Sequence, residues 1–313
     1  MGFTMQAEKE ISIIVPFYNE SESMSLFFET IIPIVELTKL TFEIVCINDG
    51  SKDDTLEQLK ILKTTYPQIK IIDFSRNFGK DAALTAGLDF AEGKCVIPID
   101  SDLQDPPELI LDMIKKWKEG FDVVLARRAD RSEDTIVKRI TAGLFYKVYN
   151  IVSDFKLPEN VGDFRLMDRK VVDIIKEFPE RKRFMKGIFA FAGFKTSTVE
   201  YKRPERNRGT TKWSYWKLWN YAIDGITSFS TFPLKISTYL GLFVTVLTFT
   251  RGLWILFKTI FLGIDVPGYA SLSIAMLFLG GIQLMSLGII GEYIGRIYVE
   301  SKRRPIYIIK EII

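Results

Sequence analysis

The chain has 313 residues, 47% of them hydrophobic, which is enough for one large or two medium domains, and its mean hydropathy of +0.11 is high for an enzyme free in solution. Its 42 basic and 39 acidic residues leave a formal charge of only +3, so the balance does not point to a nucleic-acid binder. The sequence contains no histidine. That excludes Ser-His-Asp chemistry, Cys-His chemistry and histidine-ligated metals, leaving carboxylates, amides and bound phosphates to hold any metal.

The opening MGFTMQAEKE lacks the apolar core of a signal peptide, and Gln6 stands where a myristoylation signal requires Ser or Thr. From Ile11 to about Arg128, short β-branched runs alternate with helical stretches, and strands are expected near 11–17, 42–48, 69–74, 94–99 and 122–126. Asp53 or Asp54 opens a helix over 54–65, and Gly120 closes one that begins at Pro106. This βαβ rhythm predicts an α/β fold with a mostly parallel sheet. Cys46 and Cys95 lie in apolar runs without CxxC spacing and read as core residues in a reducing compartment.

Every one of these strands ends in polar chemistry. The ends are Tyr18-Asn19-Glu20, Asp49-Gly50-Ser51, Arg76-Asn77, Asp100 with Asp102, and Arg127-Arg128. Parallel strands place ligands just beyond their carboxyl ends, so these groups are expected to converge on one crevice suited to a nucleotide. In IPIDSDLQDPP, the spacing of Asp100, Asp102 and Gln104 offers hard oxygen ligands to a Mg²⁺ that also holds phosphates. The plainer reading is a solvated turn with Asp105 capping a helix at Pro106. Asp49-Gly50 as a simple turn, Arg76 as a solvated strand end and Asp163 as a cap are the corresponding plain readings elsewhere.

Between about 130 and 205 the pattern is mixed: a helix from Thr135 to about Val152, a turn and short strand around Asp163, helices near 170–178 and 183–191, and a β-segment from Lys195. RNRGTTKW, from Arg206 to Trp213, is a basic, glycine-containing loop. Trp213, Tyr215, Trp216, Trp219 and Tyr221 then crowd beside Lys212 and Lys217, the pattern of a helix in a headgroup region. Two spans follow, about 233–262, interrupted by Arg251 and Lys258, and about 267–294. Basic flanks before the first span and in SKRRPIYIIK after the second place both termini in the cytoplasm. The expected organisation is a catalytic unit over 1–210, interfacial helices over 211–232, a hairpin over 233–298 and a basic tail over 299–313.

The segments VPFYNE, INDGSKDDT, SRNFGKDAALTAGLD, PIDSDLQDPPE, NVGDFRLM, GITSFSTFPL and LGIIGEYIGRIY, taken in order, resemble the polyisoprenyl-phosphate glycosyltransferases of glycosyltransferase family 2. Within them the chain is most similar to the bacterial bactoprenol (undecaprenyl-phosphate) glucosyltransferases of O-antigen modification. The resemblance implies a GT-A, Rossmann-like catalytic domain, a divalent metal (Mg²⁺ or Mn²⁺), inversion at the sugar, and assembly as a homo-oligomer, a tetramer in some members. It implies that Pro16, Tyr18 and Glu20 line the nucleoside pocket with Asp49 near the base, and that Arg76 and Lys80 lie on the nucleotide side. Asp100, Asp102 and Gln104 match metal and diphosphate residues, with Asp102 and Gln104 as ligands, and Asp163 matches an active-site aspartate. Arg127 and Arg139 match positions proposed to hold the lipid phosphate, and Arg206, Arg208 and Lys212 fall in a closing loop.

The activity so implied is transfer of glucose from UDP-glucose to undecaprenyl phosphate at the inner membrane. The same scaffold serves GDP-mannose or a UDP-aminoarabinose derivative, and the acidic motif does not separate these donors. A processive polysaccharide synthase would carry QxxRW and more spans, and neither is present. A non-catalytic nucleotide-sugar-binding scaffold would have no use for the acidic cluster with its basic loop.

Overall fold

The computed structural model describes residues 8–129, 143, 146–147, 149–153, 155–202, 223–262 and 268–313. The elements in chain order are β1 (Ile11–Phe17), α1 (Met24–Glu36), β2 (Phe42–Asn48), α2 (Thr55–Thr65), β3 (Ile69–Phe74), α3 (Lys80–Phe90), β4 (Cys95–Pro98), α4 (Leu109–Lys118), β5 (Val123–Arg128) and β6 (Val161–Asp168). There follow α5 (Arg169–Lys176), α6 (Met185–Phe191), β7 (Thr196–Tyr201), α7 (Phe232–Leu262), α8 (Tyr269–Ser301) and β8 (Ile309–Ile312).

One sheet carries all the strands in the order β7-β5-β6-β4-β1-β2-β3-β8. β4, β1, β2 and β3 are mutually parallel, as the alternating pattern predicts. Along β1 the side chains alternate: Ile11, Ile13, Val15 and Phe17 join the core under α1 and α4, while Ile14 joins the opposite core with α3, α5 and α6. Helices thus cover both faces. α3 lies especially close, because a Cβ added at Gly87 would come within 2.1 Å of Ile14 Cγ2.

The sheet departs from a simple parallel order in two places. β6 inserts between β4 and β5 and runs antiparallel to both. Its first residues therefore reach the same edge as the carboxyl ends of β4 and β5. The second departure is β8, formed within the basic tail, which pairs antiparallel with β3 at the sheet's edge.

At the start of α4 the two prolines form hydrogen-bonded turns, Leu109 N–H to Pro106 O and Ile110 N–H to Pro107 O, before the helix proper begins. Asp105 is not its cap. The cap position is Glu108, and Asp105 is instead buried as the acceptor of the Tyr201 hydroxyl. Before α2 it is Asp53 whose carboxylate accepts bonds, from Ser21 N–H and from the Thr55 N–H and hydroxyl, whereas Asp54 makes no side-chain cap. Most of the helix expected over 135–152 lies outside the described residues, though 149–152 are helical.

α7 and α8 span about 46 and 50 Å at 1.5 Å per residue, longer than the roughly 30 Å hydrocarbon core of a bilayer. They contain two stretches apolar and long enough to cross a membrane, Phe232–Ile255 and Ala275–Ser301. Leu247, Phe249, Leu277 and Leu284 are more than half exposed, an apolar surface that a water-soluble monomer does not present. Arg251 is exposed on α7 rather than buried against α8.

Candidate active site

The loops after β1 and β2 are stitched together by backbone donors. Asn19 N–H reaches Ser51 Oγ at 3.0 Å, Lys52 N–H reaches Asn19 Oδ1 at 2.8 Å, and Glu20 N–H reaches Thr55 Oγ1 at 3.0 Å. Asn19 sits at φ +53°, a left-handed conformation that asparagine tolerates better than most residues. Pro16 is half-buried at the end of β1, and Tyr18 is exposed beside it.

Asp49 is buried and accepts three bonds from the loop after β3: Phe78 N–H at 2.6 Å, Gly79 N–H at 2.9 Å and Asn77 Nδ2 at 2.9 Å. Burial pushes its carboxyl up, against the opposing pull of those N–H groups and of Arg76. A carboxylate has about four lone-pair positions, so these three bonds leave Asp49 about one. Gly50, at φ +62°, allows the approach, since a Cβ there would stand 2.3 Å from the Arg76 carbonyl carbon. The Arg76 guanidinium lies 3.9 Å over the Phe78 ring and donates to Asn77 O.

Beyond β4 and at the start of β6 lies the densest charge. Lys80, expected on the nucleotide side, extends its ammonium between two carboxylates, 2.7 Å from Asp100 Oδ1 and 2.7 Å from Asp163 Oδ2. Burial opposes charge at Lys80, but the two carboxylates prevail and hold it above the usual lysine range. Burial likewise opposes charge on Asp163, and Lys80, Lys186 and Arg165 hold it well below the usual carboxylate range. Asp81, next in α3, is pushed up to about 7 by burial and by the charge of Asp163. Arg165 is buried two residues on, donating to Gly162 O at 2.7 Å and Asp163 O at 3.3 Å and stacking over Phe189. It fixes the backbone that carries Asp163.

The acidic turn after β4 is bent sharply. Gln104 N–H donates to Asp102 Oδ1 at 3.1 Å, and Leu103 between them has φ +53°, a strained value for a branched side chain. Gln104 is 7% exposed, and its side-chain amide has no hydrogen-bond partner among the described residues. No group of three or more His, Cys, Asp or Glu is gathered to hold an ion among the described residues. These donors fit a hard divalent ion that takes one or two protein oxygens and completes its shell with diphosphate and water.

Arg127 is paired with Glu200 across β5 and β7, so its charge is already met on the sheet. Arg139, Arg206, Arg208 and Lys212 lie outside the described residues, as does the aromatic cluster from Trp213 to Tyr221. Sequence reasoning did not single out Asp81, Arg165 or Lys186. Arg165 was legible as the residue two along from Asp163 on one face of a strand. Lys186 gave no local signal, because only the packing of α6 brings it near.

A mostly parallel sheet covered by helices on both faces, with Lys80 paired to Asp100 and Asp163 beside an Asp-x-Asp-x-Gln turn at the strand ends, has the architecture of a GT-A glycosyltransferase, and the chain belongs to glycosyl transferase family 2, which matches residues 12–175. Residues 232–297 match the GtrB C-terminal hairpin. Among its relatives, the chain is 54% identical over 301 residues to a bactoprenol glucosyl transferase of Shigella phage SfV, covering 96% of this chain and 98% of that one. A prophage bactoprenol glucosyl transferase homolog of Escherichia coli K12 is 54% identical over 303 residues, 97% of this chain and 99% of that one. A glycosyltransferase of Synechocystis sp. is also 54% identical over 303 residues, 97% of this chain and 95% of that one. Among solved structures, S. aureus TarS 1-349 aligns with a TM-score of 0.43 at 18% identity, covering 62% of this chain and 59% of that one. The chain is a glycosyltransferase of the bactoprenol type, with glycosyl transfer to a polyprenyl phosphate as the activity its relatives support.

Proposed function

We propose that this chain transfers glucose from UDP-glucose to undecaprenyl phosphate, with a divalent ion and inversion at the anomeric carbon, on the cytoplasmic side of a bacterial inner membrane. The observation that carries this reading is Lys80 joining Asp100 to Asp163 next to the Asp102–Gln104 turn, in a chain that also has two helices apolar and long enough to cross a membrane. In the reaction, the bond from C1 of the sugar to the diphosphate breaks and one from C1 to a phosphate oxygen of the lipid forms. A divalent ion on Asp102 and Gln104 supplies charge to the departing diphosphate when bound.

The acceptor shapes what the side chains must do. A phosphate monoester has its second pKa near ~6 and is mostly dianionic at neutral pH, so it needs little help losing a proton. Asp163, held ionised, is a weak base, and its task is to orient. Lys80 supplies a cation where two anionic substrates meet. Basic flanks on both sides of the hairpin favour termini facing the cytoplasm.

The test is incubation of the purified full-length protein with Mg²⁺, undecaprenyl phosphate and a panel of radiolabelled nucleotide sugars. Label is expected in the lipid phase with UDP-glucose. Label from GDP-mannose or a UDP-aminoarabinose derivative instead would replace the donor, and no lipid-linked product with any donor would leave a binding scaffold.

A further inference from the structure

Residues 298–313 lie beyond both matched family regions, yet they pack directly behind the loops assigned above to the nucleotide. Ile71 and Ile313 exchange both backbone bonds at 2.9 Å, and Ser75 N–H donates to Ile308 O at 3.0 Å. From this strand two relays run inward. In the first, the Tyr307 ring stacks on Phe74 at 5.1 Å and 10°, Phe74 meets Phe78 edge-on at 5.7 Å, and Phe78 supports the Arg76 guanidinium at 3.9 Å. The Tyr307 hydroxyl fixes the ring by donating to Asp89 Oδ2 at 2.6 Å.

The second relay is polar. Lys310 lies 3.6 Å from the buried Asp73 carboxylate, which accepts Asn48 Nδ2 at 2.7 Å, while Asn48 Oδ1 accepts Ser51 N–H and Ser51 Oγ accepts Asn19 N–H. Both relays end on loops after β1, β2 and β3. Neither touches Asp163, Arg165 or the acidic turn.

We propose that the tail strand is a positioning element for the nucleotide donor, with Tyr307 acting through Phe74 and Phe78 to hold the Arg76 loop. The inference rests on the reading that this loop binds the nucleotide. It makes the segment following the second membrane helix part of the donor site's wall, so that anchoring and donor affinity are linked by covalent continuity from α8. A strand that only stabilised the sheet would affect donor and acceptor alike. A positioning element acts on the donor alone.

The experiment uses full-length protein in lipid nanodiscs, measuring the Kd for UDP by calorimetry and KM for UDP-glucose and undecaprenyl phosphate separately. Tyr307→Leu is expected to raise the UDP Kd and donor KM by roughly three- to tenfold, with acceptor KM and kcat within about twofold. Phe78→Leu, which breaks the relay in a partly buried loop, should do the same, and Tyr307→Phe should bind UDP nearly as tightly as wild type. Combined with Arg76→Ala, Tyr307→Leu should add less than its effect alone, because both act on one loop. An unchanged UDP Kd in Tyr307→Leu and Phe78→Leu, or a parallel rise of both KM values, overturns the proposal. Arg76→Ala separates the two ideas: if it binds UDP as wild type does, the donor-site reading falls, and the inference with it. If Arg76→Ala weakens UDP and the Tyr307 and Phe78 variants do not, the positioning role alone falls.

Discussion

Lys80 lies between the Asp100 and Asp163 carboxylates at one strand edge, and its cation holds Asp163 ionised. For Asp163 the consequence is a carboxylate that releases its proton easily and takes one up poorly. Asp163→Asn, which keeps shape and a hydrogen-bonding oxygen, is therefore expected to retain at least about a tenth of wild-type kcat at saturating substrates. Activity should fall below the acceptor's second pKa in both proteins, and a loss beyond about a thousandfold with unimpaired UDP binding would mark Asp163 as the base. Asp81 behaves in the opposite sense. Its folded-state carboxyl titrates near 7 against an ordinary 3.8, so its proton stabilises the fold fully below the ordinary value, and that stabilisation is lost as pH rises through 7. Between pH 5 and pH 8 the thermal midpoint of the wild type should fall by roughly 2–4 °C more than that of Asp81→Asn, read by differential scanning fluorimetry. The position of Asp100, Asp102 and Gln104 just beyond a strand was legible in the sequence pattern, whereas Asp163 entered only through the family resemblance. The state of Asp163 was not legible, since it depends on Lys80, Lys186 and Arg165 meeting it from three elements.

At the scale of elements, small residues in α3 set how closely it sits on the sheet. Gly87→Ala would drive a methyl into Ile14 on β1, and such overpacking costs about 1–3 kcal/mol. A matching drop in thermal midpoint, with UDP affinity retained at low temperature, is the expected result. The parallel strands were readable because buried β-branched runs alternate with helical stretches. The placing of β6 was not, because its antiparallel position between β4 and β5 depends on ladder pairing with residues some forty and seventy places earlier in the chain. β8 was hidden for the same reason: IKEI is short and half charged, and becomes a strand by pairing with β3.

For the molecule as a whole, the end of α8 is tied by polar contacts to the segment preceding α7 and to the chain at Arg181 and Lys182. Arg296 donates to Thr227 Oγ1 and Ser228 Oγ at 2.8 Å and to Asp224 O at 2.6 Å, and the Glu300 carboxylate accepts the N–H groups of Arg181 and Lys182. Phe229 in the same segment packs edge-on against Phe155, so the clamp holds an apolar contact in place. Arg296→Leu should leave several of these groups unpaired and speed limited proteolysis near 223–230 by roughly tenfold, with a smaller effect on UDP binding. Composition and span length made the hairpin legible, and charge flanks suggested its orientation. The clamp was not legible, because Arg296 reads in sequence as one more basic residue near a membrane.

The proposed function assigns donor diphosphate, divalent ion and lipid phosphate to the acidic turn, and the most direct test compares Asp102→Asn with wild type in transfer of label from UDP-glucose to undecaprenyl phosphate in the presence of Mg²⁺. Wild type is predicted to yield lipid-linked glucose and Asp102→Asn to fall by at least about a hundredfold while remaining folded. Equal rates in the two proteins, or no lipid-linked label from wild type, would contradict the account.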